Sequence, residues 1–284
     1  MDNQSTLIQC KGKLIDLSSP KVMGILNITP DSFYDGGRYG DENAILRQVE
    51  LMLNEGATFI DIGSVSTRPG AEIPDTETEW SRMEKYLKAI VKHFPEAIIS
   101  IDTTRAQIAK RAIEQGAAMI NDISAGEWDE QMLPKVASLK VPYVMMHRQG
   151  IPQTMQDNPQ YQNVTLEVLQ YFGNRIALCR EMGIKDLIID PGFGFGKNTE
   201  HNFTLLRELK SLSVAGCPVL AGLSRKRMIW QTLNITPERA LNGTTALNMV
   251  ALLNGASILR VHDVKEAMQC VSLYKELHPE HFAQ

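Results

Sequence analysis

Four side chains able to do chemistry stand inside sequence that is otherwise apolar. Asp102 closes Ser100-Ile-Asp102, Asn121 follows Ala118-Met-Ile, Asp190 closes Leu187-Ile-Ile-Asp190, and Arg260 interrupts Ile258-Leu-Arg-Val261. Burying a charge or an amide in such a run is expensive unless a partner or a ligand satisfies it. Further cations and a hydroxyl gather in short segments. Arg68, Lys226, Arg260 and His262, with the Ser224 hydroxyl, make a cationic sector suited to phosphate or pyrophosphate. Asp102, Asn121 and Asp190 make a second sector. A carboxylate accepts from two adjacent N–H donors at once, so this sector suits the edge of a flat 2-amino-4-oxo heterocycle such as guanine or a pterin. Asn121 adds amide contacts, and Lys226 can donate to the ring oxygen. The residue types predict a ligand with a planar heterocycle at one end and phosphate at the other.

These residues converge only if a fold brings them together. Apolar runs recur eight times, at Lys21–Ile28, Thr58–Gly63, Ala97–Asp102, Ala118–Ile123, Pro142–His147, Asp186–Asp190, Pro218–Gly222 and Ser257–His262. Continuous rather than alternating hydrophobicity fits strands buried on both faces of a parallel sheet. The intervening chain is long enough for helices, and Gly56, Gly116, Gly183, Gly216 and Gly255 stand where those helices must stop. Before Gly116, Ala106, Ala109, Ala112 and Ile113 recur at helical spacing, with Thr103 or Thr104 placed to cap. Eight strand–helix alternations predict a single (β/α)8 TIM barrel, and Leu7–Leu17, turning at Lys11-Gly12-Lys13, predicts an N-terminal β-hairpin before it. An open doubly wound sheet needs fewer strands and a Gly-rich first turn, which Asn27-Ile-Thr-Pro-Asp31 is not. No linker or low-complexity segment interrupts residues 1–284, which read as one domain.

In such a barrel the site is built at the C-terminal ends of the strands. Each predicted strand ends in a polar group: Asn27, Thr29 and Asp31; Ser64, Ser66, Thr67 and Arg68; Asp102 and Thr103; Asn121 and Asp122; His147; Asp190; Ser224, Arg225 and Lys226; Arg260, His262 and Asp263. Thr29, Asp122 and Asp263 have the alternative role of capping the next helix. Two long loops, Asn27 to Asp41 around Phe33 and Tyr34, and Gly63 to Asp75 around Ser66-Thr-Arg-Pro-Gly70, have the glycines and aromatics of loops that close over a site. Asp190-Pro-Gly-Phe-Gly-Phe-Gly-Lys197 is not a Walker loop, because its glycines alternate and Asn198 follows the lysine.

Composition bounds the rest. A formal net charge of -4 over 284 residues argues against a nucleic-acid partner. Four scattered cysteines, Cys10, Cys179, Cys217 and Cys270, fit free thiols rather than a disulfide framework or zinc site. The polar N-terminus lacks the regions of a signal peptide and no run of 18 apolar residues exists, so the expectation is a cytoplasmic protein with no membrane span.

The ordered segments Gly24–Gly37, Ser66–Ala71, Ser100–Thr104, Ile120–Ser124, Asp190–Lys197, Gly222–Lys226 and Ile258–Val264 resemble those of the dihydropteroate synthase family and span nearly the whole chain. The resemblance implies condensation of 6-hydroxymethyl-7,8-dihydropterin diphosphate with p-aminobenzoate, releasing pyrophosphate with the help of Mg2+, in an enzyme that sulfonamides inhibit and that is usually a homodimer. By resemblance Asn27 is the metal ligand. Asp102, Asn121, Asp190 and Lys226 form the pterin pocket, lined by Met145 and Phe195. Arg260 and His262, with Arg68 and Asn27, take the pyrophosphate; Phe33, Thr67, Arg68 and Pro69 close the aminobenzoate pocket. Asp102, Lys226, Arg260 and His262 are the expected catalytic set. Val65, where many members carry Glu, and Arg227, where a small residue is common, depart from the pattern, and Met146-His-Arg148 is a variable segment. A corrinoid-linked methyltransferase barrel would share the pterin residues but has no need of Arg260-Val-His262 or Ser224-Arg-Lys226. A non-catalytic paralogue would have lost one of the quoted residues.

Overall fold

The computed structural model describes residues 6–28, 40–65, 74–150, 155 and 158–279. The chain opens with an antiparallel hairpin, β1 (Leu7–Cys10) and β2 (Lys13–Asp16), turning through Lys11 and Gly12 at φ 49° and 79°. There follow β3 (Lys21–Asn27), α1 (Gly40–Asn54), β4 (Phe59–Gly63), α2 (Thr76–His93), β5 (Ile98–Asp102), α3 (Ala106–Glu114), β6 (Met119–Asp122) and α4 (Met132–Leu139). The second half contains β7 (Tyr143–Met146), α5 (Val164–Glu181), β8 (Leu187–Asp190), α6 (Thr199–Arg207), β9 (Leu220–Ala221), α7 (Arg227–Thr232), α8 (Leu241–Leu253), β10 (Ile258–Val261) and α9 (Val264–Leu277). All eight predicted strands are present, trimmed at their ends, and β9 keeps only two residues.

Strands β3 to β10 form one parallel sheet in the order β8-β7-β6-β5-β4-β3-β10-β9. A parallel bridge from Ile189 to Val219, with Ile189 N donating to the Pro218 carbonyl at 3.0 Å, joins the two ends of that order. The barrel and its preceding hairpin are therefore as the periodicity predicts.

Strand pleating sorts the side chains into two cores, because neighbours along a strand point to opposite faces. Inside the barrel, Met23, Phe59, Ile98, Met119, Val144, Ile188, Leu220 and Ile258 pack with Ile8, Cys10 and Leu17 of the hairpin. The hairpin thus plugs the N-terminal end of the barrel, and Gln9 N donates to Asp186 at 2.9 Å to hold it there. Outside, the alternate residues, such as Val22, Ile60, Ile99, Ile120, Ile189 and Leu259, pack against the helices.

Helix ends follow the glycine signals, with Gly116 after α3 at φ 108° and Gly183 after α5 at φ 87°, a conformation with little penalty only for glycine. The expected threonine cap of α3 is not formed. Arg105 occupies the cap position and the Ala106 N–H is taken instead by the Asp129 carboxylate, at 2.7 Å, from the loop after β6. The four cysteines are unpaired and buried. Among the described residues no helix is long and apolar enough to cross a membrane.

Candidate active site

The inward-facing positions nearest the C-terminal ends of the strands carry Asn27, Asp61, Asp102, Asn121, Asp190 and Arg260. At their centre is a residue that the sequence reading passed over. Asp61, fully buried in the middle of β4, accepts from Arg260 Nε at 2.7 Å and from Asn121 Nδ2 at 2.9 Å. Arg260 Nη2 in turn donates to Asp102 at 3.0 Å. One guanidinium therefore bridges two carboxylates, and one carboxylate ties the arginine to the amide. Burial pushes the Asp102 carboxyl above its ordinary range, and the Arg260 charge opposes that rise. Arg260 lies between the two predicted sectors, touching the carboxylates and the amide's partner, rather than in the cationic sector alone.

On the far side of the mouth Asp190 ends β8 and accepts from Gly192 N at 2.7 Å. Its carboxyl is likewise raised by burial, with Lys226 the largest opposing influence. Lys226 donates to the Phe193 carbonyl and lies 4.9 Å from the centre of the Phe195 ring. Burial lowers its ammonium to about 8, against the pull of Asp190. A Cβ built on Gly222 would stand 3.7 Å from Lys226 Nζ and 3.9 Å from Asp190, so a side chain there would press into the space these two groups share.

The rim is organised separately. Ser224 Oγ pairs with His262 Nδ1 at 2.9 Å and accepts from His262 N at 3.2 Å. Arg225 makes a bidentate pair with Asp263, at 3.0 and 2.7 Å, which turns that carboxylate away from capping α9. Asp122 is buried and structural: it accepts from Tyr143 Oη at 2.7 Å and from Ser124 N and Gly126 N at 2.7 and 2.8 Å, shaping the turn after β6. Asn27 ends β3 exposed at the mouth, its Oδ1 3.8 Å from the point a Cβ on Gly63 would occupy.

Asn27, Asp102, Asn121, Asp190, Phe195, Ser224, Lys226, Arg260 and His262 are thus all carried by the C-terminal ends of the strands or the turns that follow them. Phe33, Thr67, Arg68 and Pro69, with Thr29, Asp31 and Ser66, lie outside the described residues. Met145 is a correction. It is paired in register with the outward-facing Asp122, packs in the helix-side core, and has its sulfur 4.0 Å from Cys179 Sγ on α5. It cannot line the mouth; Met146, in register with Asp190, points inward in its place. Asp61 was legible by the rule that singled out Asp102: a carboxylate between apolar neighbours, Phe59-Ile-Asp-Ile62.

The parallel barrel thus carries three carboxylates, an amide and a lysine at one mouth, and the family described as "Pterin binding enzyme" matches residues 23–262 and sets its class. A dihydropteroate synthase of Escherichia coli (strain K12) is 44% identical over 263 residues, covering 92% of this chain and 93% of the relative. The structure of the Yersinia pestis dihydropteroate synthase with a sulfonamide drug superposes with a TM-score of 0.90 at 38% identity, covering 96% of this chain and 99% of that one. The Xanthomonas albilineans dihydropteroate synthase in complex with 7,8-dihydropteroate gives 0.86 at 36% identity, covering 96% and 98%. The chain belongs to the dihydropteroate synthase family, a family of transferases.

Proposed function

We propose that this chain, as one pterin-binding barrel domain over residues 1–284, performs its family's reaction: 6-hydroxymethyl-7,8-dihydropterin diphosphate and p-aminobenzoate give 7,8-dihydropteroate and pyrophosphate. The observation that carries this reading is the convergence of Asp102, Asn121 and Asp190, on inward strand positions at one end of the barrel, with Lys226 from the turn after β9; Asp61 links Asn121 to Arg260, which also holds Asp102. The methyltransferase reading leaves Arg260-Val-His262 and Ser224-Arg-Lys226 without a purpose, and the non-catalytic reading leaves every quoted residue intact without one.

The pterin edge sits on Asp190 and Asn121, and Lys226 donates to the ring oxygen. The C–O bond to the diphosphate breaks, and its electron pair leaves with pyrophosphate. The methylene is conjugated to an electron-rich ring, so positive charge spreads into the pterin, where the Asp102 and Asp190 carboxylates stabilise it. The aminobenzoate nitrogen then bonds to the methylene and loses a proton. Arg260, His262 and Arg68 take the departing anion. Phe33, Thr67, Arg68 and Pro69 wall the aminobenzoate pocket and exclude water. No protein nucleophile is needed.

Among the described residues no three His, Cys, Asp or Glu side chains converge into a metal cage. The Asn27 amide oxygen at the mouth instead fits a Mg2+ that arrives on the diphosphate, since that ion prefers oxygen ligands and retains waters. Bound there, the ion would neutralise charge on the leaving group. Val250 and Leu253 of α8 and Leu273 and Leu277 of α9 are exposed, which supports a homodimer through these late helices. The buried, unpaired cysteines support a cytoplasmic location.

The test is product formation. The purified protein with pterin diphosphate, p-aminobenzoate and Mg2+ should yield dihydropteroate and pyrophosphate, and chelation should stop both. Lys226→Ala and Arg260→Ala should fold yet lose activity. Near-normal turnover in either would remove that residue from the site.

A further inference from the structure

The motif Asp190-Pro-Gly-Phe-Gly-Phe-Gly-Lys197 ends in a lysine that none of these contacts uses, yet Lys197 is only 2% exposed. Its Nζ lies 2.9 Å from His147 Nδ1, 3.1 Å from the Gly192 carbonyl, 3.2 Å from that of Phe195 and 3.4 Å from that of His147. Four acceptors thus surround a group with three protons. The His147 ring, buried and edge-on to Tyr171, is held neutral by burial and by the Lys197 charge, and facing an ammonium, which can only donate, Nδ1 is the acceptor. Burial also draws the Lys197 ammonium down to about 7, against the pull of Asp190. No carboxylate bonds directly to it among the described residues. A cation in such a place is a stability cost unless it does something.

What it does is visible in the backbone it joins. The loop presses against the segment after β7 so closely that a Cβ on Gly192 would come within 1.9 Å of the His147 carbonyl oxygen, and one on Gly196 within 2.3 Å of that of Gln149. This contact, and the tether through Lys197, set the height of the 192–195 limb. The same limb presents the Phe193 carbonyl that receives Lys226 and the Phe195 ring beside its ammonium. Other groups also hold the loop: Gly194 N donates to Asn202 Oδ1 at 2.7 Å, Asn202 Nδ2 to the Lys197 carbonyl at 3.1 Å, and Tyr161 Oη to the Gly196 carbonyl at 2.8 Å.

We propose that Lys197 is a positioning residue for the pterin site: its ammonium fastens the loop after β8 to the end of β7 and so aims Lys226 at the pterin ring. The inference rests on Lys226 being a pterin contact, as read above. Because Asn202 and Tyr161 hold the loop independently at Gly194, Gly196 and the Lys197 carbonyl, removing the Lys197 charge should shift the Phe193 and Phe195 contacts without unfolding the loop.

The test measures binding of 6-hydroxymethylpterin, which lacks the diphosphate, by calorimetry on the full chain. It compares wild type, Lys197→Met, Lys226→Ala and the double variant. Lys197→Met should weaken pterin binding about tenfold, the worth of one charged hydrogen bond. It should raise KM for the pterin diphosphate and leave KM for p-aminobenzoate unchanged. In the Lys226→Ala background it should add little, because its effect runs through Lys226. A folded Lys197→Met with wild-type pterin affinity, or a loss additive to that of Lys226→Ala, overturns the proposal. Unchanged binding in Lys226→Ala overturns the assignment of Lys226 and the proposal with it. If Lys197→Met does not fold, His147→Phe, which keeps a ring among Tyr161, Tyr171 and Phe172 but removes the acceptor, should lower pterin affinity in the same direction. Unchanged affinity there also overturns it.

Discussion

The two ends of this barrel are made by the same strands and differ by one step of the pleat. At the closed end the inward residues are Phe59, Ile98, Met119, Ile188 and Ile258, met by Ile8, Cys10 and Leu17 of the hairpin. Two residues further along the same strands the same face carries Asp61, Ser100, Asn121, Asp190 and Arg260. That step is about 7 Å at the rise of a strand. At the closed end stability is non-directional and follows from apolar area removed from water. At the mouth each group depends on a particular partner, and the match is incomplete: Asp61 Oδ1 and Ser100 Oγ, on residues paired in register, are buried with no hydrogen-bond partner among the described residues. The closed end supplies the stability that lets the mouth carry buried charge shaped for a ligand.

The strongest way to break this division is to remove Asp61. Asp61→Ala leaves Arg260 and Asn121 without their shared acceptor, and breaking a buried pair costs about 3–5 kcal/mol. The expected outcome is a large loss of stability in urea unfolding, together with a loss of about 100-fold or more in kcat/KM, since a misaimed group at a reacting centre costs about that much. Phe59→Ala probes the other end of the same strand. It should cost about 3–5 kcal/mol through the cavity it leaves. Below the melting range, however, KM for both substrates should be unchanged. Equal effects of the two variants on KM would erase the distinction between the ends.

Titration sharpens the comparison, because the shifted groups facing the ligand are all at the mouth. Lys226 titrates near 8 rather than 10.5, so its ammonium donor is present below that pH and is lost above it. Pterin affinity should begin to fall as the Lys197 tether titrates near 7, and fall by about tenfold per pH unit beyond 8 as Lys226 also loses its proton. Stability should move the other way. Between 8 and 10.5 the unfolded chain binds the lysine proton more tightly than the folded one, so the Lys226 contribution favours the fold increasingly as pH rises. On the acid side Asp102 and Asp190 are raised by burial, so their carboxylates are lost at a higher pH than ordinary aspartates would be. The kcat/KM profile should be a bell whose alkaline limb spans about 7 to 8, and Lys226→Arg should move its upper part upward.

How far each end could be read from the sequence follows from the same physics. The barrel was legible because eight buried strands must be apolar on both faces, and that leaves continuous runs between glycine-stopped helices. Asp102, Asn121, Asp190 and Arg260 were legible because polar atoms in those runs demand a reason. Asp61 carried the same signal but lies one pleat deeper, where no turn marks the edge of a site. The cap of α3 was not legible, because Asp129 is distant in sequence and reaches Ala106 only across the packed α3 and α4 region. Lys197 was hidden for a related reason: three of its four acceptors are carbonyls, which every residue has and no sequence distinguishes, and the fourth, His147 Nδ1, is distant in sequence.

The assignment of Met145 failed on parity, and that failure gives the finest test. Two methionines stand side by side at the end of β7, both almost completely buried, and composition treats them alike. The pleat does not. Met145 shares the outward face with Asp122 and meets Cys179 on α5, whereas Met146 shares the inward face with Asp190 and lies close to Gly192, whose Cβ would come within 3.1 Å of its Cγ. Met145→Ala should therefore cost about 2–5 kcal/mol of stability, as a large-to-small change in a packed core does, and leave KM for the pterin diphosphate unaltered. Met146→Ala removes apolar surface beside the ring-binding carboxylate and should raise that KM by several-fold. A KM effect from Met145→Ala equal to that of Met146→Ala would mean that the strand is out of register by one residue, and every inward assignment on β7 would have to be exchanged with its neighbour.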